Sequence, residues 1–329
     1  MKRIISITLL LVLLVLPLAS CIGPKGESKL RIGYMTGPTG MGMAKLINDN
    51  GGKSGNEKYS FNNYANNTQN AMADLTAGNV DIVSVPTNLA ANYYNKNKNI
   101  VVLAVNCLNS LFVVSDKNTT IENLSDLNGK TIYTCKSGTP KPILEYVLNA
   151  NGINATVATS FEGSDISEPK DVGALVTAGK LPIAVMPEPM ITSSLLAIQK
   201  AGNPDIAYTI DIDLGDYWST ENNTPVTMGC IVARADFVAN NKDKIDAFLA
   251  EYKASIEFVS NAENLSSASD YIVSSEIMAA KGAATKALSN LGSAIAFVSG
   301  DNMKSALIDF YGAIGILAPE SDFYYVTED

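Results

Sequence analysis

Histidine is absent from all 329 residues. Serine–histidine–aspartate triads, cysteine–histidine dyads and the histidine-rich kinds of zinc site are therefore excluded. Cysteine is scarce: the four are Cys21, Cys107, Cys135 and Cys230, with no Cys-x-x-Cys spacing. The last three each sit in an apolar run, which reads as buried thiol. Positive charge is short as well, with 24 Lys and Arg against 33 Asp and Glu and a formal net charge of −9. That balance argues against a nucleic-acid partner and against electrostatic attraction to anionic lipid. Nucleotide fingerprints are missing too, since neither Gly-x-Gly-x-x-Gly nor Gly-x-x-x-x-Gly-Lys-Ser/Thr can be laid on the glycine-rich stretch from Gly37 to Gly42.

What is present begins with a targeting segment. Met1-Lys2-Arg3 is followed by an apolar run from Ile4 to Leu16 and by Leu18-Ala19-Ser20-Cys21. These are the parts of a secretory signal, and the run is shorter than the roughly 20 residues a spanning helix needs. The tetrapeptide resembles the lipobox of bacterial lipoproteins, which makes 1–20 a signal peptide, Cys21 a diacylated N-terminus and 21–28 a flexible tether. Losing Lys2 and Arg3 with the signal takes the net charge from −9 to −11.

From Lys29 onward strand-like and helix-like patterns alternate, the mark of an α/β fold built on helix-covered, largely parallel sheets. Lys29 to Met35 reads as a strand, Gly37-Pro38-Thr39-Gly40 as a tight loop and Met41 to Ile47 as a helix. Such a loop can offer free amides to a ligand, or can simply need small residues for packing. Asp213 to Asn223 reads as a polar loop holding Trp218, and from Asp236 the chain is helical, with Ile245, Phe248, Leu249, Tyr252, Ile256 and Val259 on one stripe.

The chain also repeats itself. Gly37-Pro38-Thr39 falls opposite Ser137-Gly138-Thr139 at an offset of 100, and Leu75 to Pro86 is echoed by Val176 to Pro187 at 101. Two similar lobes follow if this is duplication. In open α/β sheets, ligands bind beyond the carboxyl ends of strands, where hydroxyls, amides and glycines collect here in place of acid–base pairs. This favours binding over catalysis. Asn67, Thr68, Thr87 and Thr139 can alternatively serve helix starts, and Lys141 is either a charge for a ligand or a solvated side chain. Pro140 and Pro142 lack N–H groups, whereas Gly40, Met41, Gly42 and Met43 have theirs, so the first loop should be the stronger half of a clamp. Glu188, between two prolines, either accepts from a ligand or pins a hinge through a buried ion pair. Tyr93, Tyr94, Phe112 and Trp218 are core aromatics or pocket walls.

Ala73-Asp74-Leu75-Thr76-Ala77-Gly78-Asn79-Val80-Asp81, Asp126-Leu127-Asn128-Gly129-Lys130, Ala178-Gly179 through Pro187-Glu188-Pro189 and Arg234-Ala235-Asp236-Phe237 occur in this order. Together with the lipobox they resemble the substrate-binding lipoproteins of ABC importers, in the NMT1/SsuA-like group that takes nitrate, sulfonates, taurine or thiamine precursors. The resemblance implies a two-lobed periplasmic-binding-protein type 2 fold, each lobe a doubly wound, mostly parallel sheet. It implies lobe 1 from 29–110 plus 225–329, lobe 2 from 111–215, and a return crossover at 216–224. Thr36, Gly37, Thr39, Gly40, Asn67, Thr68, Pro86, Thr87, Ser137, Gly138, Thr139 and Glu188 are carried into the cleft. A small polar or anionic organic solute, permease and ATPase partners, no cofactor, no catalysis, a monomer and a lipid-anchored extracytoplasmic location are implied with them. Beyond the signal, Arg31 and Arg234 are the only arginines. The cationic or histidine contacts that some members use for nitrate or thiamine precursor thus lack counterparts. An enzyme on the same fold, acting on a menaquinone or pyrimidine precursor, and a ligand-sensing subunit of a signalling complex are the other readings.

Overall fold

Runs of buried Val, Ile, Leu and Ala make the sheets. The computed structural model describes residues 29–326 apart from 66 and 223, so the signal, the tether and Cys21 lie outside the described residues. Among the described residues the strands are β1 Leu30–Tyr34, β2 Tyr59–Asn63, β3 Ile82–Pro86, β4 Ile100–Leu108, β5 Leu111–Asp116, β6 Thr131–Tyr133, β7 Thr156–Ala158, β8 Ser160–Phe161, β9 Ser164–Asp165, β10 Ile183–Pro187, β11 Tyr208–Asp213 and β12 Thr227–Arg234. They form two five-stranded sheets of order β2-β1-β3-β12-β4 and β11-β5-β10-β6-β7, plus the β8-β9 hairpin.

Each sheet is mixed, because the chain passes between them twice. β1 runs parallel to β2 and β3, while β12 lies antiparallel between β3 and β4. In the second sheet β6 is parallel to β7 and β10, and β5 lies antiparallel between β10 and β11. Starting from β7, the second sheet has the order of the first, which gives the sequence repeat a structural basis. The offset is 101 in both segments: Gly37 and Gly138 both have φ of 78°, and Gly78 and Gly179 have 75° and 70°. Left-handed backbone at these turns favours glycine, so Gly37 answers to Gly138 and not to Ser137.

The expected polar loop around Trp218 is instead a helix, Leu214–Asn222. Asp213 Oδ1 accepts from the Gly215 N–H at 2.8 Å. The fully buried indole lies between Tyr146 and Phe310, with ring centroids 4.5 and 5.6 Å away. Burial of that one large side chain outweighs the polar composition around it. The same apolar cluster holds Val83 of the first sheet, Ile132 of the second and Leu307 of the helix Gly300–Ala313, so one core runs through both sheets. The stripe residues Ile245, Phe248, Tyr252, Ile256 and Val259 of the helix Lys242–Ser260 are buried against the other face of the first sheet, with Leu249 partly buried beside them. Tyr94, Phe112 and Trp218 are core residues and Tyr93 packs against the core. Cys107, Cys135 and Cys230 are buried free thiols.

Candidate functional site

Residues at strand ends of one sheet meet residues of the other side along a seam between the sheets. Gly37, buried at the start of the short helix Pro38–Met41, faces Pro189 so closely that a Cβ on it would lie 3.2 Å from the Pro189 Cδ. Thr139 Oγ1 stands 3.7 Å from Met228 Sδ. Glu188 at the end of β10 accepts from Asn290 Nδ2 at 2.6 Å, a residue of the C-terminal helix Lys281–Leu291.

The first loop is built differently from its expectation. Gly40 and Met41 donate to the Gly37 carbonyl, both at 3.0 Å, and Gly42 and Met43 donate to that of Gly40. The four amides expected to be free are spent inside the turn, and the helix is only four residues long. The Gly37 N–H goes to Ile277 O at 3.4 Å and that of Thr36 to Ala65 O at 2.9 Å. Gly40 is small for packing: a Cβ there would sit 1.8 Å from the Met35 carbonyl oxygen. A clamp whose stronger half is this loop is therefore contradicted. Thr39 keeps a site-facing place, half-buried, with its carbonyl accepting from Ser84 Oγ and Asn106 Nδ2, both at 2.9 Å.

Other expected residues divide between structure and seam. Asn67 is exposed and caps the helix Thr68–Ala77 by accepting from the Asn70 N–H at 3.0 Å. Thr87 is fully buried, its hydroxyl donating to Thr227 O at 2.5 Å and its carbonyl accepting from the Tyr311 hydroxyl at 3.1 Å. It ties β12 to two helices. Pro86 ends β3 and begins the helix Thr87–Asn97 with no side-chain cap. Ser137 and Gly138 are exposed, and the Ser137 N–H donates to Ser167 O at 3.0 Å. Thr139 is buried and makes no cap bond to the helix Pro140–Ala150, so its hydroxyl is not used up by the helix start. Lys141 pairs with Glu145 at 3.1 Å on the surface.

Glu188 forms no ion pair among the described residues; it accepts from the hydroxyl of Thr192 at 2.9 Å, from the Thr192 N–H at 3.3 Å and from Asn290. Burial pushes its carboxyl above the ordinary range, with those donors and the nearby Lys286 charge pulling the other way. Neutral donors thus tie the two sides together where an ion pair was one expectation.

Sequence reasoning missed two residues: Asn106, which donates to the Thr39 carbonyl, and Asn290, which donates to Glu188. An asparagine inside the apolar strand Ile100–Leu108 was a visible signal, because a polar residue there must find partners. Asn290 gave none, since an asparagine on an amphipathic helix reads as surface. Among the described residues no group of three or more Cys, Asp or Glu could hold a metal ion, and no helix is long and apolar enough to cross a membrane. The seam offers hydroxyls, amides and one buried carboxylate, chemistry that holds a small molecule by hydrogen bonds.

Residues 60–170 match the family described as NMT1/THI5 like. No curated protein matches the chain. Among solved structures, an ABC transporter protein from Parabacteroides distasonis is 18% identical with a TM-score of 0.71, over 92% of this chain and 100% of that one. The periplasmic aliphatic sulphonate binding protein SsuA from Escherichia coli is 16% identical with a TM-score of 0.64, over 92% and 94%. The ligand-binding component of an ABC-type import system from Staphylococcus aureus, with zinc bound, is 15% identical with a TM-score of 0.64, over 91% and 97%. At such identities the likeness speaks to the fold, which is that of the type 2 periplasmic binding proteins.

Proposed function

Because the chain has the type 2 periplasmic-binding fold and carries an NMT1/THI5-like segment, we propose that it is an extracytoplasmic solute-binding lipoprotein of an ABC importer. The observation that carries the reading is the seam itself. Two sheets of one order turn their strand ends toward each other, and uncharged polar groups collect there beside residues of opposite sides in contact. Lobe 1 comprises 29–110 with 225–329 and lobe 2 comprises 111–215, with 216–224 as the return crossover. A small polar organic solute binds between them, held by Thr39, Thr139 and neighbouring groups. The closed pair of lobes then docks on the permease, whose ATPase subunits drive release. Diacylation of Cys21 keeps the monomer at the membrane.

Native mass spectrometry of the purified protein tests the reading. A copurified small molecule of defined mass, released unchanged on denaturation, supports it. Chemical turnover of that molecule sinks it and revives an enzyme on this fold. For the anchor, Cys21→Ser should move the protein from the membrane fraction to the soluble one; an unchanged partition rules out lipidation there.

A further inference from the structure

Asn106 lies near the carboxyl end of β4 and is 1% exposed. Its Nδ2 donates to the Thr39 carbonyl and to the Tyr252 hydroxyl, both at 2.9 Å, and stands 3.5 Å from Ser84 Oγ. A carbonyl can only accept, so the bond to Thr39 O fixes which end of the amide is nitrogen. Oδ1 must then point the other way, and there it is buried with no hydrogen-bond partner. It points at Gly229 of β12: a Cβ on Gly229 would lie 2.7 Å from Asn106 Oδ1 and 2.9 Å from Thr39 Oγ1. Two residues before Gly229, Thr227 Oγ1 is a second buried side-chain oxygen without a partner. Thr39, whose Oγ1 lies beside the same Gly229 position as Asn106 Oδ1, is half-buried at the seam.

A buried acceptor without a donor costs stability, and folded proteins rarely leave one unanswered. We infer that Asn106 Oδ1 reads the solute by accepting an uncharged N–H or O–H from it, with Gly229 kept side-chain-free so that this acceptor and Thr39 Oγ1 are reached together. The inference rests on the solute-binding reading and narrows it. Asn106, Thr39, Ser84 and Tyr252 are all uncharged, so a full charge placed among them would be desolvated without a counter-ion. The group recognised there is a hydroxyl, amide or amine-type heterocycle donor. An anion bearing no donor, such as nitrate or a simple sulfonate, cannot satisfy Oδ1 and would meet it with like polarity.

The test offers the full chain a desalted small-molecule extract of its expression host, spiked with nitrate and methanesulfonate. Retained compounds are identified by exact mass and titrated against the wild type, Asn106→Leu and Gly229→Ala. Retention of a compound carrying an N–H or O–H donor, with at least a tenfold weaker Kd in Asn106→Leu, is the expected result. Gly229→Ala keeps the Asn106 amide but puts a Cβ 2.7 Å from its Oδ1 position and 2.9 Å from Thr39 Oγ1, crowding that approach, and should weaken binding similarly even if Asn106→Leu fails to fold. Retention of nitrate or methanesulfonate in preference overturns the inference, as does a Kd within twofold of wild type in both variants. If the wild type retains nothing, the solute-binding reading itself falls, which is a separate outcome from a ligand indifferent to Asn106.

Discussion

At the scale of single residues, two side-chain environments make predictions that differ in kind. Gly40 is enclosed by its own chain, and Gly40→Val would drive a Cβ into the Met35 carbonyl. Its expected effect is a loss of roughly 3 kcal/mol or more in urea unfolding of the ligand-free protein. Thr39→Val, which removes only a half-buried hydroxyl, should leave unfolding nearly unchanged. Asp213 makes the second case. Burial, with Asp216 adding to it, pushes its carboxyl up to about 6 against the pull of the Gly215 N–H. The folded state therefore holds this proton more tightly than the unfolded chain, whose value is about 3.9. Its contribution to stability is full below about 3.9 and is lost as pH rises to about 6. Asp213→Asn keeps an acceptor for Gly215 and should flatten stability against pH across that window. An unaltered pH slope in the variant would show that Asp213 is not the titrating group.

At the scale of elements, the two crossovers are tied to each other. Asn109 follows β4, and its Oδ1 accepts from the Val226 N–H, just before β12, at 2.9 Å. The place of a Cβ on Gly215 is only 2.3 Å from Asn109 Cβ, so Gly215 must stay small for the two segments to touch. Asn109→Ala should speed amide exchange at Val226 far more than at the β12 interior, where strands flank both sides; equal acceleration throughout would mean general destabilisation. Strands were the legible part of this scale. Apolar runs such as Val80 to Pro86 and Leu181 to Pro187 announced β3 and β10, and glycines requiring left-handed backbone marked the turns before them. The helix around Trp218 was not legible, because its stabilisation comes from Tyr146 and Phe310, 72 and 92 positions away in sequence. For the site, strand ends pointed to the right neighbourhood. Which hydroxyls remain available depended on hydrogen bonds no local pattern specifies: Thr87 spends its hydroxyl on Thr227, whereas Thr139 does not cap its helix.

At the scale of the whole molecule, the bond between Glu188 and Asn290 joins the end of the second sheet to the C-terminal helices. Asn290→Ala leaves Glu188 with Thr192 as its donor and removes a tie across the seam. The expected outcome is a larger radius of gyration for the ligand-free protein in small-angle scattering, with solute restoring the compact value. An identical radius in variant and wild type would show that Asn290 does not hold the two sides together. The long C-terminal helices, which carried no chemical signature in the sequence, thereby take part in the seam as well as in the core.

The exchange of strands between sheets also imposes an order in time. β12 occupies the place between β3 and β4, yet it is synthesised after every strand of the second sheet. Until it arrives, the first sheet is a parallel trio with β4 unattached, and the facing edges of β3 and β4 stand open. The second sheet has no such wait, since β5 through β11 are consecutive in the chain. The later half of the strand order therefore completes first, and the earlier half stays an unfinished template whose exposed edges must be shielded from other chains until residue 234 has emerged.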